Sequence, residues 1–167
     1  LAGQGHLFIA YGALISVGAM GIFVVHVQAG LLPVLWLVGI VISTDVAGYF
    51  AGRVIGGPKF WPSISPKKTW SGTAAGWMCA GFIGSMMFWK VVGIHWAIVP
   101  LSVVLSVVSQ LGDVVESHLK RQAGVKESSN LIPGHGGFLD RFDGMIAAAA
   151  ALFVVQFLSV SVGFSLY

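Results

Sequence analysis

Asp113, Glu116, Ser117 and Lys120 recur at intervals of three, four and seven residues, a spacing that puts all four on one face of a helix. Downstream, Pro133-Gly134-His135-Gly136-Gly137 leads into Asp140-Arg141-Phe142-Asp143, where two carboxylates three residues apart share a second helical face. Magnesium takes a few carboxylates together with water and phosphate oxygens, and phosphoryl or nucleotidyl transfer is catalysed mainly by metal and cation stabilisation of charge. Asp113, Asp140 and Asp143, ringed by Lys120, Arg121, Lys126 and Arg141, form that inventory. Gly134, Gly136 and Gly137 would let a loop carrying His135 close on a polyphosphate, although a glycine-rich turn alone is weak evidence. On residue types alone, a plain ion-pair network or an ion pathway accounts for the same set.

A second polar group precedes it. Asp45, Gly48, Tyr49, Gly52 and Arg53 fall on one helical face, and a carboxylate within an apolar helix needs a partner or a watered cavity. An interhelical salt bridge or hydrogen bond without catalytic duty accounts for Asp45 equally well. Two glycines and two prolines in Gly56-Gly57-Pro58-Lys59-Phe60-Trp61-Pro62 rule out a continuing helix and predict a loop or re-entrant turn. Ser65-Pro66-Lys67-Lys68-Thr69 then supplies cations, hydroxyls and free amides ahead of the next helix, either a phosphate cradle or a basic loop touching anionic headgroups.

The elements that must position these groups are membrane helices. The chain is 56% hydrophobic and 9% charged, with a mean hydropathy of +0.88, whereas soluble domains carry about 25% charged residues. Segments 7–27, 31–52, 73–89, 94–112 and 145–165 approach or exceed the length needed to cross about 30 Å of hydrocarbon. An all-α polytopic bundle of about five spans, forming one membrane domain over residues 1–167, is expected. Of the fifteen charged side chains, nine lie within residues 113–143 and five between Asp45 and Lys68; only Lys90 stands apart. Arg53, Lys59, Lys67 and Lys68 follow the second span, and Lys120, Arg121, Lys126 and Arg141 follow the fourth. The positive-inside rule therefore places both connections and the amino terminus in the cytoplasm. Gly12/Gly18, Gly48/Gly52 and Gly72/Gly76/Gly81 sit near helical spacing and predict close helix packing. Cys79, the sole cysteine, excludes an intrachain disulfide and reads as a packing residue. No basic amino-terminal segment or cleavage pattern suggests a signal peptide. The few cations, interleaved with acids, argue against nucleic-acid binding.

Ser117-His118-Leu119-Lys120-Arg121, Lys126 and the run from Pro133 to Asp143 closely resemble the signature of phosphatidate cytidylyltransferases, the CDP-diacylglycerol synthases. Asp45 with Tyr49-Phe50 and Gly52-Arg53, Ser65-Pro66-Lys67-Lys68-Thr69 with Gly72, and Gln110-Leu111-Gly112-Asp113 resemble that family's other motifs. The resemblance implies Mg2+-dependent transfer of the cytidylyl group of CTP to phosphatidic acid, giving CDP-diacylglycerol and pyrophosphate in phospholipid biosynthesis. It implies an integral protein of the bacterial inner membrane, often a homodimer, with its active site facing the cytoplasm and open sideways to lipid. Carried over residue by residue, Asp113 and Asp140 would hold the metal, with Asp143 nearby and a second cation such as K+. Lys120, Arg121, His135 and Arg141 would join them in catalysis. Substrate binding would fall to Asp45, Arg53, Ser65, Lys67, Lys68, Thr69, Ser117, Lys126, Gly134, Gly136 and Gly137.

Two departures from the family pattern stand out. Glu127 replaces the usual aspartate after the lysine, and only one predicted span precedes Asp45 where the family has more. A small ion or proton transporter, a lipid or polyprenol kinase, and an inactive or truncated paralogue that binds lipid are the competing readings. A CDP-alcohol phosphotransferase is disfavoured, because Asp143-Gly144 lacks the Ala-Arg and later paired aspartates of those enzymes.

Overall fold

The computed structural model describes residues 5–62, 65–91, 93–122, 124–125 and 139–161. Five helices carry the chain: α1 (Gly5–Ala29), α2 (Leu31–Val54), α3 (Trp70–Lys90), α4 (Ile98–Gln122) and α5 (Leu139–Ser161). In hydrocarbon an apolar chain must satisfy its backbone groups internally, and helices do so within each segment. The all-α membrane bundle expected from the sequence is the architecture observed. Among the described residues four helical stretches are long and apolar enough to cross a membrane: Ile9–Ala29, Leu31–Val54, Ile98–Gln122 and Phe142–Ser159. The third expected span, 73–89, falls in α3, which is not among these four: Ser71, Thr73, Ser85 and four glycines dilute it, although its 21 residues reach about 31 Å at 1.5 Å each.

One end of the bundle holds the tight turn between α1 and α2. Gly30 there adopts φ 79° and donates its N–H to the His26 carbonyl at 2.9 Å, a left-handed helix stop that glycine makes without a Cβ clash. The opposite end holds a two-stranded hairpin, β1 (Lys59–Trp61) and β2 (Ser65–Thr69). The segment expected as a loop or re-entrant turn is thus partly extended and paired. Lys59 stands opposite Thr69 and Trp61 opposite Ser65, with an irregular register between them; Pro66 lacks the N–H that a regular ladder would use. Phe60 packs edge-on against Trp70 with ring centroids 4.8 Å apart, which fixes the hairpin to the start of α3.

α3 lies between α2 and α4, and α5 packs on α1 and α4. The centre contains Trp36, Leu37 and Ile40 of α2, Ala80 of α3, Leu105 of α4 and Leu152 of α5. Ser102, Ser106 and Ser109 of α4 are buried among them. Trp36 Nε1 donates to Ser102 Oγ at 3.1 Å and Thr44 Oγ1 pairs with Ser106 Oγ at 2.7 Å, interhelical bonds that help hold apolar helices together where water-driven burial is absent. The glycine expectation holds where helices cross closely. A Cβ on Gly72 would stand 2.5 Å from the Gly48 carbonyl oxygen, and one on Gly144 would stand 2.6 Å from Ser109 Oγ. Gly12, by contrast, faces nothing within 4 Å. Phe23, Ile42, Phe82 and Phe157 point outward, as a lipid-facing surface requires.

Candidate active site

Where α2, β2, α3 and α4 converge at the hairpin end, a cavity of about 340 Å³ opens. Helical spacing turns Asp45, Tyr49 and Arg53 of α2 into it, while Gly48, Gly52 and Gly72 line it where α2 and the start of α3 pack closely. β2 delivers Lys67, Lys68 and Thr69 to the same cavity, and Gln110 closes it from α4. Lys68 ties these elements together: its Nζ lies 2.5 Å from Asp113 Oδ2 and 3.2 Å from the Gln110 carbonyl oxygen. Ser117 Oγ donates to Asp113 Oδ1 at 3.4 Å. Arg53 Nη1 donates to the Tyr49 hydroxyl at 2.8 Å, which orients its guanidinium at the cavity mouth. Thr69 Oγ1 accepts from Gly72 N at 3.2 Å, so this lining residue also caps α3. Lys68 and Asp113 both act electrostatically on Asp45, but Lys68 makes its ion pair with Asp113. The salt bridge considered for Asp45 is not formed among the described residues.

A second acidic focus lies one turn along α4. Glu116 is buried, with only 2% of its surface exposed, and its Oε2 accepts from Lys120 Nζ at 3.2 Å. Its Oε1 is buried and meets no N–H or O–H donor among the described residues. Across the interface, Asp143 Oδ1 accepts from Gly144 N at 2.6 Å, and Asp143 interacts electrostatically with both Glu116 and Asp113. The close approach that allows this comes from small residues: a Cβ on Gly112 would meet the Ala147 Cβ at 2.5 Å and the Asp143 carbonyl oxygen at 3.0 Å. Carboxylates from α4 and α5 therefore face one another. Among the described residues no three His, Cys, Asp or Glu side chains are grouped to hold a metal ion.

A family model of the cytidylyltransferases matches residues 3–159. The chain belongs to the cytidylyltransferase family. It is 48% identical over 127 residues to the phosphatidate cytidylyltransferase of Brucella suis biovar 1 (strain 1330), covering 75% of this chain and 47% of that relative. Against the phosphatidate cytidylyltransferase of Staphylococcus haemolyticus (strain JCSC1435) the identity is 40% over 136 residues, 78% of this chain and 52% of the relative. Against that of Helicobacter pylori (strain ATCC 700392 / 26695) it is 36% over 138 residues, 82% and 52%. The chain thus spans about half the length of the curated relatives it matches.

Within this chain, Asp45, Arg53, Lys67, Lys68 and Thr69 share the cavity, and Asp113 and Ser117 join it through Lys68. Ser65 sits at the far end of β2 opposite Trp61, away from the lining. Lys120 is engaged with Glu116, and Arg121 is exposed at the end of α4. Lys126, Gly134, His135, Gly136 and Gly137, and the side chains of Asp140 and Arg141, lie outside the described residues. The structure adds Tyr49 and Gln110 to the cavity. Gln110 precedes Asp113 by three residues and so shares its helical face, a signal present in the sequence.

Proposed function

We propose that this chain catalyses transfer of the cytidylyl group of CTP to the phosphate of phosphatidic acid, forming CDP-diacylglycerol and pyrophosphate. The observation that carries this reading is the Lys68 bridge, which sets a basic cavity directly against the Asp113 carboxylate. A phosphatidate oxygen attacks the α-phosphorus of CTP, forming a P–O bond. The bond from that phosphorus to the oxygen bridging the α- and β-phosphates breaks, and pyrophosphate leaves with the electron pair. The nucleophile is already anionic at neutral pH, so the protein's tasks are alignment and suppression of repulsion between two polyanions. Arg53, Lys67 and Lys68 supply positive charge at the cavity, and Tyr49 orients Arg53.

The donor set suits magnesium: the acids are hard oxygen ligands, and Asp113 is partly open. Asp113 and Asp140 would hold the ion, with Asp143 beside them and K+ as a second cation. Bound there, the metal would neutralise charge on phosphate oxygens. The basic connections support a site on the cytoplasmic face of a bacterial inner membrane, with the amino terminus inside. Assembly as a homodimer belongs to the same reading.

Detergent-solubilised protein given phosphatidate, magnesium and CTP labelled on the α-phosphate should produce labelled lipid. Asp113→Asn should lower that rate at least a hundredfold while remaining folded. Lipid labelled only from γ-labelled CTP would replace this reading with a kinase, and no lipid product from folded wild-type protein would overturn it.

A further inference from the structure

Gln110 occupies an unusual position in the cavity wall. Its backbone carbonyl accepts from Lys68 Nζ at 3.2 Å, while its side-chain Oε1 accepts from Trp77 Nε1 at 3.1 Å. An indole N–H can only donate, so Trp77 decides which end of the amide faces it. The oxygen is held against Trp77 and the NH2 group is turned the other way. That group lies over Gly76, where an added Cβ would stand 2.9 Å from Nε2 and 3.0 Å from Thr44 Cγ2. Gly76 therefore supplies the room for the amide to lie there. Among the described residues Nε2 makes no hydrogen bond, and Gln110 is half-buried in a cavity that also presents Arg53, Lys67 and Lys68.

A neutral NH2 donor, on a residue that lines the same cavity as three cations, matches a negatively charged oxygen acceptor. The lysines attract charge without strong directionality, whereas a planar amide held at one end donates along a set line. We propose that Gln110 is a ligand-binding residue whose amide NH2, oriented by Trp77, donates to a phosphate oxygen of the anion held in this cavity. The inference rests on the reading that the cavity takes phosphate, from either the nucleotide or the lipid phosphomonoester. Trp77 is then a positioning residue that acts only through Gln110.

Steady-state kinetics with CTP and phosphatidate varied separately distinguish the two sources. Gln110→Glu keeps the shape and an acceptor for Trp77 but sets a carboxylate against phosphate. It should raise KM at least tenfold for the substrate whose phosphate it meets, with the thermal midpoint held within a few degrees. Trp77→Phe frees the amide to rotate and should raise the same KM about threefold, and adding it to Gln110→Glu should have no further effect, the non-additivity expected of coupled residues. Unchanged KM for both substrates in Gln110→Glu, or additive effects of the two substitutions, would overturn the assignment. A pyrophosphate thermal-shift titration separates this inference from the activity. Stabilisation of wild type but not of Gln110→Glu supports the donor even if no lipid product forms. Equal stabilisation of both proteins by pyrophosphate and also by a short-chain phosphatidate, or of neither protein by either probe, removes it.

Discussion

Among the described residues two lysines make ion pairs, and their surroundings predict opposite phenotypes. The Lys68–Asp113 pair is open to water, with side chains 25% and 38% exposed. Pairs of that kind contribute about 0–1 kcal/mol. Lys68→Met should therefore leave the thermal midpoint in detergent nearly unchanged while strongly reducing the proposed cytidylyl transfer, because the cavity loses its link to Asp113. The Lys120–Glu116 pair is enclosed, with side chains 18% and 3% exposed. Removing one partner of a buried pair strands the other charge at a cost of about 3 kcal/mol or more. Lys120→Met should lower the midpoint clearly, and Glu116→Gln, which removes the charge while keeping the shape, should cost less. Equal midpoints for Lys68→Met and Lys120→Met would contradict this ranking. Spacing made the Glu116–Lys120 pair legible, since both ends lie on one helix. The Trp77–Gln110 bond joins residues on different helices, and its register depends on how α3 lies against α4, which periodicity in either helix does not encode.

At the scale of elements, the sequence identified where helices run more fully than how their ends are built. Apolar runs located the helices because hydrocarbon leaves few other backbone solutions. Prolines and glycines correctly ended α2, but the same residues are compatible with a loop or a hairpin. Pairing of β1 with β2 depends on contacts such as Phe60 with Trp70 that span the turn. Thr69 shows the consequence, since it belongs both to a basic motif and to the start of α3. Thr69→Ala should cost about 1 kcal/mol through loss of the cap, and Thr69→Ser should restore most of it in a thermal melt. The glycines give a sharper contrast. Gly72→Val would drive a side chain into the Gly48 carbonyl, and overpacking of this kind costs about 1–3 kcal/mol. Gly12→Ala enters open space and should leave the melt unchanged. A tolerated Gly72→Val would mean that α2 and α3 do not cross as closely as observed.

Across the whole molecule, the Lys68–Asp113 contact establishes that the hairpin after α2 and the carboxyl-terminal end of α4 share one end of the bundle. The Trp36–Ser102 bond, near the starts of α2 and α4, lies toward the other. Eight of the nine lysines and arginines belong to the two connections at the first end or to the residues bordering them, and Lys90 is the exception. Charge distribution and packing thus agree on which connections belong together, although they come from independent physics: translocation of cations in one case, side-chain contact in the other. The orientation follows only from the charges, so it can be tested apart from the fold. In a Cys79→Ala background, single cysteines at the exposed positions Lys59, Gln122 and Trp96 can be challenged with a membrane-impermeant maleimide. Lys59→Cys and Gln122→Cys should be protected in intact bacterial spheroplasts and labelled once the membrane is permeabilised, while Trp96→Cys should be labelled in intact spheroplasts. Labelling of the first two but not the third in intact spheroplasts would invert the orientation and leave the bundle standing. Lys59→Cys and Gln122→Cys reacting from opposite sides would be incompatible with a Lys68–Asp113 contact, and the shared site would fall with it.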